Sequence, residues 1–406
     1  MDYKIIKKCQ VCSNKNLKQI LDLGNQPLCD DLKKKGVGKK YKTKIIFCDK
    51  CFTAFQKYNV DKKILFHKNY HYRARNTKDV VNGMKELANS ALKKIHKSGR
   101  INVLDIGCND GTLLDIFKKK GCKTYGIEPT NAFKDAHKKG HKIFNCFFNY
   151  KNAKKIKKQI KDVDIISFTN VFAHIDDLDE LLKSLKIMLN KNTMVVVENH
   201  YLGEVIKKNQ FDTFYHEHPR TYSLNSFLHI AERIKLRIED VQFVKRYNGN
   251  IRVFLKNKNK KNNIKVKKFI SNEKKLIKLV YSFQNKLHMW RVRKKIEIIN
   301  IVKKNGPISA KAYPGRAAKI INLLGLNKDF ISSVYEKKMS LKIGYLVQGT
   351  NIPIISDELF IRRNNKKKII LNLAWHIDKE IKNYLKKELN FKGKVIDTLS
   401  KKEIKK

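Results

Sequence analysis

The stretch Ile101–Leu114, INVLDIGCNDGTLL, limits the fold more than any other part of the chain. A short apolar run ends in a glycine-rich turn, and a second apolar run follows at once. The pattern reads as a strand, a tight turn and a helix. It is repeated through KTYGIEP, a helix around Ala132 to Lys139, HKIFNCFF, VDIISFTNVFAHI, a helix through Asp177 to Leu189, and TMVVVENHYL. Strands alternating with helices predict a mostly parallel, doubly wound sheet. Val80, Met84, Leu87, Ala91 and Ile95 recur at helical spacing, so a helix from Thr77 to about Lys97, stopped by Gly99, is expected to lead into this unit.

A second unit of similar plan follows. After NGNIRVFL comes a long basic helical stretch to about Lys304, then ISAKAYPGRAAKIINLLGL, again a strand, a glycine turn and a helix. Further strands are expected at FISSVY, IPIIS and KIILNLAW, and Asn257 to Lys268 is low in complexity, as a solvated connection would be. The predicted class is α/β, divided into residues 1–75, 76–240 and 241–406.

The first of these segments carries Cys9-Gln-Val-Cys12 and Cys48-Asp-Lys-Cys51. Two CxxC pairs supply four thiolates, the number and softness that a tetrahedral Zn²⁺ ion requires. Four protein ligands leave no open position, so the predicted zinc is structural. The gap between the pairs exceeds that of a compact zinc ribbon and implies an extended insertion. With four of the eight Cys in such pairs, metal ligation in a reducing compartment explains them better than a disulfide framework. No stretch approaches the roughly 18 apolar residues of a membrane span, and the opening MDYKIIKKCQ lacks the apolar core of a secretory signal. A cytoplasmic location and no membrane partner are expected.

A net charge of +53 would suit a polyanionic partner. The excess is nearly all Lys spread from end to end, whereas nucleic-acid binders concentrate Arg and aromatics on one stripe. No nucleic-acid partner is therefore expected, although a zinc-containing RNA-binding protein is the reading from another class that charge and cysteines would support.

In Asp105-Ile-Gly107-Cys-Asn109-Asp110-Gly111 the glycines let the backbone turn tightly and approach a ligand. Glu128 ends the next strand, where its carboxylate could accept hydrogen bonds from both ribose hydroxyls. Asp110 near the helix start would repel a pyrophosphate, so a cationic cofactor such as S-adenosylmethionine suits the turn better than a dinucleotide. These motifs resemble the cofactor motifs of class I S-adenosylmethionine-dependent methyltransferases. Together with the CxxC pairs, LGNQPL, YHYRAR, NVFAHIDDL, FDTFYHEHPRTYS, SLKIGYLVQGTNIPI and LAWHIDKEI, the chain resembles three-domain sugar C-methyltransferases. That resemblance implies a Rossmann-like methyltransferase domain between a zinc-binding and a C-terminal α/β domain. It also implies a nucleotide-linked keto-deoxysugar substrate, Asn170 at the cofactor, and a monomer or homodimer.

Phe211–Ser223 packs Tyr215, His216, Glu217 and His218 side by side. Moving a methyl from a sulfonium to carbon needs a carbanion, hence a base beside the acidic C–H and donors for the enolate. His218 can serve as base, Glu217 can orient an imidazole or a sugar hydroxyl, and Tyr215 can donate to the oxyanion. The resemblance implies the same three residues, with His218 as base, and adds His174 and Tyr72, the latter in preference to Tyr70. Two alternatives stay open on the residues alone: His216 and His218 as a metal-binding HxH pair, and Tyr72 with Arg73 as packing for the zinc segment.

Two regions depart from the family pattern. Tyr247-Asn248-Gly249-Asn250 stands where a His-Gly-Gly-Ser stretch is usual, and AYPGRAAK replaces a Tyr-Gly-Ala turn. Arg316 to Lys319 could meet a substrate phosphate at a helix N-terminus, or simply form a turn. A different sugar, a different carrying nucleotide, or O- or N-methylation of a saccharide would fit such changes.

Overall fold

Four sheets organise the computed structural model, which describes residues 2–29, 31–66, 72–257, 264–363, 369–400 and 403. The largest has seven strands in the order Leu236–Val244, Asn250–Asn257, Met194–His200, Ile165–Thr169, Asn102–Ile106, Lys123–Ile127 and Lys142–Phe144. The five strands between Asn102 and His200 pair in parallel, and Asn250–Asn257 is antiparallel to both neighbours. Parallel strands need both faces covered, which is why Val195 and Val196, on opposite faces, are equally apolar and equally buried. Val80, Leu87, Leu113 and Phe117 cover one face; Ile156, Leu181, Leu185 and Ile230 cover the other.

The helix expected from Thr77 spans Lys78–Leu92, ending before Lys97, and Leu178–Met188 is capped by Asp177 accepting from the Glu180 N–H at 2.9 Å. HKIFNCFF forms a strand only over Lys142–Phe144, and a helix that the pattern does not predict follows at Tyr150–Gln159. That helix is rich in Lys and Asn and buries only Ala153 and Ile156, too narrow a stripe to read as periodic. The division placed at residue 240 falls inside Leu236–Val244, a strand of this sheet.

The C-terminal unit is a five-stranded sheet, wholly parallel, ordered Ile354–Ser356, Ile331–Glu336, Ile308–Lys311, Ile369–Asn372, Lys394–Asp397. The insertion between the CxxC pairs folds as antiparallel strands Lys18–Pro27 and Lys40–Cys48, joined by Thr53–Gln56. Its fourth strand, Arg220–Thr221, comes from the histidine-rich segment far along the chain. One apolar cluster joins Phe47 and Phe52 of this sheet to Phe211 and Phe214, to Phe283 and Trp290 of the long helix Phe283–Asn305, and to Ala310 and Ile331. The three segments therefore share core rather than sitting on linkers. Among the described residues no helix is long and apolar enough to cross a membrane. Tyr70 and residues 258–263 of the low-complexity stretch lie outside the described residues.

Candidate active site

The four CxxC thiols converge. Cys9 Sγ lies 3.4 Å from Cys51 Sγ, Cys12 Sγ lies 3.5 Å from Cys48 Sγ, and all four sulfurs fall within 4.8 Å of one another. Asn14 Nδ2 donates to Cys48 Sγ and the Cys12 N–H donates to Cys9 Sγ, both at 3.4 Å, support that suits thiolates rather than thiols. The donor set fits one tetrahedral Zn²⁺ with no position left for a substrate.

The predicted cofactor residues gather at the C-terminal ends of adjacent parallel strands, where open α/β sheets bind ligands. Gly107 has φ 72°, and a Cβ there would lie 2.6 Å from a Val171 methyl; at Gly111, φ 76°, it would lie 2.9 Å from Ala136 Cβ. Both glycines are thus required by the protein's own packing as well as by the turn. Glu128 is buried, its Oε1 accepting from the Thr130 N–H at 2.9 Å and its Oε2 from the Asn109 N–H at 2.9 Å. Burial pushes the Glu128 carboxyl above its usual range and takes that of Asp105 up to about 7, while Asp105 Oδ1 accepts from Ser167 Oγ at 2.7 Å. Asn109 turns its side chain to the segment after the zinc-binding sheet, accepting from the Ala74 N–H at 3.0 Å and donating to the Tyr72 carbonyl at 3.2 Å. Asp110 accepts from the Thr112 and Arg75 N–H groups at 3.2 and 3.1 Å. Carboxyl groups at the ends of neighbouring strands offer acceptors to the ribose hydroxyls of an adenosyl cofactor.

Beyond the turn lies a small cavity lined by Asn170, His174, Asn199, His200 and His218. The His218 ring stands 4.0 Å from the Tyr215 ring, 4.9 Å from His174 and 5.2 Å from His200. His218 Nδ1 lies 3.1 Å from the Thr213 carbonyl, which can only accept, so Nδ1 carries the proton and Nε2 keeps its lone pair. Burial, then the neighbouring imidazoles, hold His218 well below the usual imidazole range, and burial takes His174 down to about 4. Both rings are neutral at neutral pH. Tyr72 reaches the group through Tyr247, hydroxyl to hydroxyl at 3.5 Å, and the Tyr247 ring is 5.3 Å from His200. Asn170, φ 54°, accepts from Asn250 Nδ2 at 3.1 Å and so fixes one wall.

His216 and Glu217 turn elsewhere. His216 Nε2 is 2.9 Å from Thr43 Oγ1, and Glu217 Oε1 accepts from the Cys29 N–H at 3.1 Å. The two imidazoles of the HxH pair diverge because they occupy a turn rather than a strand, and among the described residues the four cysteines are the metal-competent cluster. Arg220 locks the segment in place: Nη1 donates to the Asp176 carbonyl at 2.9 Å and to Gln10 Oε1, and Nη2 donates to the Ile175 carbonyl. It thereby ties the His174 loop to the first CxxC pair.

Three family models cover the chain in series: a zinc binding domain over residues 9–66, a methyltransferase domain over 71–241, and a C-methyltransferase C-terminal domain over 246–399. The C-methyltransferase NovU of Streptomyces niveus is 25% identical over 402 residues, 96% of this chain and 95% of that one. The chain belongs to the three-domain C-methyltransferases. Among solved structures, the magnesium protoporphyrin IX methyltransferase of Synechocystis PCC 6803 with bound SAM covers 44% of this chain and 80% of its own at 12% identity and TM-score 0.33. The PH0226 protein of Pyrococcus horikoshii OT3 covers 46% and 95% at 13% identity and TM-score 0.36.

In this methyltransferase the histidine group is larger than the sequence motif. His200 ends the strand Met194–His200, and His376 follows the strand Ile369–Asn372; the His376 ring lies 6.4 Å from that of Tyr247. Neither belongs to a local motif. Position at the C-terminal end of a parallel strand is the signal that would have found both.

Proposed function

We propose that this methyltransferase uses S-adenosylmethionine to methylate a carbon next to the carbonyl of a nucleotide-linked keto-sugar, with His218 as the base. The observation that carries the reading is the contact of His218 Nδ1 with the Thr213 carbonyl at 3.1 Å. A buried, neutral imidazole has one nitrogen committed to the Thr213 carbonyl and the other available, beside the Tyr215 ring. S-adenosylmethionine, when bound at Asp105, Gly107, Asn109, Gly111, Glu128 and Asn170, supplies an electrophilic methyl on a sulfonium.

His218 Nε2 takes the proton from the carbon, the C–H electron pair passes to the carbonyl oxygen, and His218 becomes an imidazolium. Tyr215 donates a hydrogen bond to the developing enolate oxygen, and His174 borders the same face. Glu217, held from the Cys29 N–H, braces the turn against the zinc segment rather than orienting His218. Tyr72 borders the site through the Tyr247 hydroxyl, 3.5 Å from its own. The zinc segment contributes by position: Gln56 donates to the Tyr215 carbonyl at 3.2 Å and the Gln56 N–H donates to the Pro219 carbonyl at 2.9 Å.

Incubation with S-adenosylmethionine and a panel of nucleotide-linked 4-keto-sugars tests the reading. The expected product gains one methylene in mass, placed on carbon by fragmentation. A methyl on oxygen or nitrogen would replace the reading with heteroatom transfer.

A further inference from the structure

We infer that Arg316, His200 and His376 form an oxyanion-binding subsite beside His218, which takes a phosphoryl or carboxylate group of the substrate. The inference rests on the proposed function for the place of the reacting carbon, and it names the chemistry at the other end of the substrate.

The geometry is a closed circuit of contacts. From His218 it runs to His200 at 5.2 Å, to Tyr247 at 5.3 Å, to His376 at 6.4 Å and to Trp375 at 6.1 Å. The Arg316 guanidinium lies 5.5 Å from the Trp375 ring centre, and its Nη2 donates to Thr213 Oγ1. Thr213 closes the circuit, since its carbonyl holds His218 Nδ1 at 3.1 Å. Arg316 is thus one residue away from the proposed base, although it comes from the C-terminal unit.

Around this circuit, nitrogen atoms are buried without partners among the described residues: Nε and Nη1 of Arg316, Nδ1 of His200 and Nδ1 of His376. Arg316 is only 6% exposed, so bulk solvent does not reach most of its side chain. Buried polar atoms are normally paired, and several orphans on residues of one circuit point to a ligand that pairs them. A guanidinium offers donors alone, so that ligand must present acceptors. Asp212 does not meet the need: its Oδ1 takes Nη2 of Arg316 and its Oδ2 takes Trp375 Nε1, both at 2.8 Å. After burial, Arg316 is the next cause that holds both His200 and His376 well below the usual imidazole range, which marks a place where added negative charge is favourable. The helix after Arg316, Ala317–Leu323, is too short to offer an anion site of its own, so the side chain carries the recognition expected of this turn.

The experiment is a fluorescence titration of the intact protein at constant ionic strength, using Trp375 against Arg316 as the reporter. The probes are inorganic phosphate, a nucleoside diphosphate and a hexuronate, and the variants are His376→Asn and Arg316→Gln, each first checked by thermal melting. The expected result is saturable quenching that weakens about tenfold or more in every variant that folds. Response to phosphate and the diphosphate assigns the subsite to the carrier; response to the hexuronate assigns it to an acidic sugar. Absence of saturation with all three probes, or unchanged affinity in folded His376→Asn, overturns the inference. Binding without methyl transfer to any keto-sugar would instead remove the proposed function and leave the subsite standing.

Discussion

The cofactor end and the histidine end of the site differ in how their polar atoms are satisfied. At the cofactor end Glu128, Asp105, Asn109 and Asp110 spend their side chains on Thr130, Ser167, Ala74 and Thr112, so the turn is rigid before any ligand arrives. At the histidine end, Arg316, His200 and His376 keep buried nitrogens without partners among the described residues. The first arrangement holds a cofactor common to many methyltransferases; the second awaits a particular substrate. Self-satisfied polar groups thus mark what is shared, and orphaned ones mark what is specific.

The comparison breaks most severely if the scaffold under both ends is removed. Metal analysis should return one zinc per chain, and Cys48→Ser should lose it together with much of the roughly 10 kcal/mol that a structural zinc supplies. Because Arg220–Thr221 is the fourth strand of the zinc-segment sheet, the same variant should lose methyl transfer. His218→Asn is next: kcat should fall by about 10²–10⁴ with cofactor affinity nearly unchanged by calorimetry, since the imidazole belongs to the other end.

A finer test sets the two ends against each other. Glu128→Ala removes hydrogen bonds already made in the protein, so it should lower both the melting point and the cofactor affinity, each by about 1–3 kcal/mol. His376→Asn removes a ring whose Nδ1 has no partner among the described residues, so its melting penalty should be smaller than that of Glu128→Ala. Equal melting penalties for the two variants would erase the distinction.

A further effect is in pH. His174, His200, His218 and His376 are all held below the ordinary imidazole value by burial, His174 at about 4. The unfolded chain therefore takes up protons first, near pH 6.5. Stability from these groups should be complete above about pH 6.5 and decline on acidification toward the folded values. Thermal melts between pH 8 and pH 5 should be flat and then fall, and His174→Asn should reduce the slope.

Local spacing carried much of this. The CxxC pairs, the turn at Gly107–Gly111 and the alternation of strands and helices are short-range patterns, and so is Tyr215–His218. What could not be read was any group assembled by the fold from distant strand ends: His200, His376, and the meeting of Tyr72 with Tyr247. Neighbours in sequence also parted. Glu217 and His216 face the zinc segment while His218 lines the cavity with the Tyr215 ring against it, because the backbone turns between them, and no periodicity announces a turn of that kind.

The most direct test of the account is hydrogen exchange in deuterated water, with the keto-sugar and the enzyme but no S-adenosylmethionine, followed by NMR. The account predicts that the proton next to the carbonyl is replaced by deuterium with the parent enzyme and is retained with His218→Asn. Exchange at an equal rate with His218→Asn would contradict it.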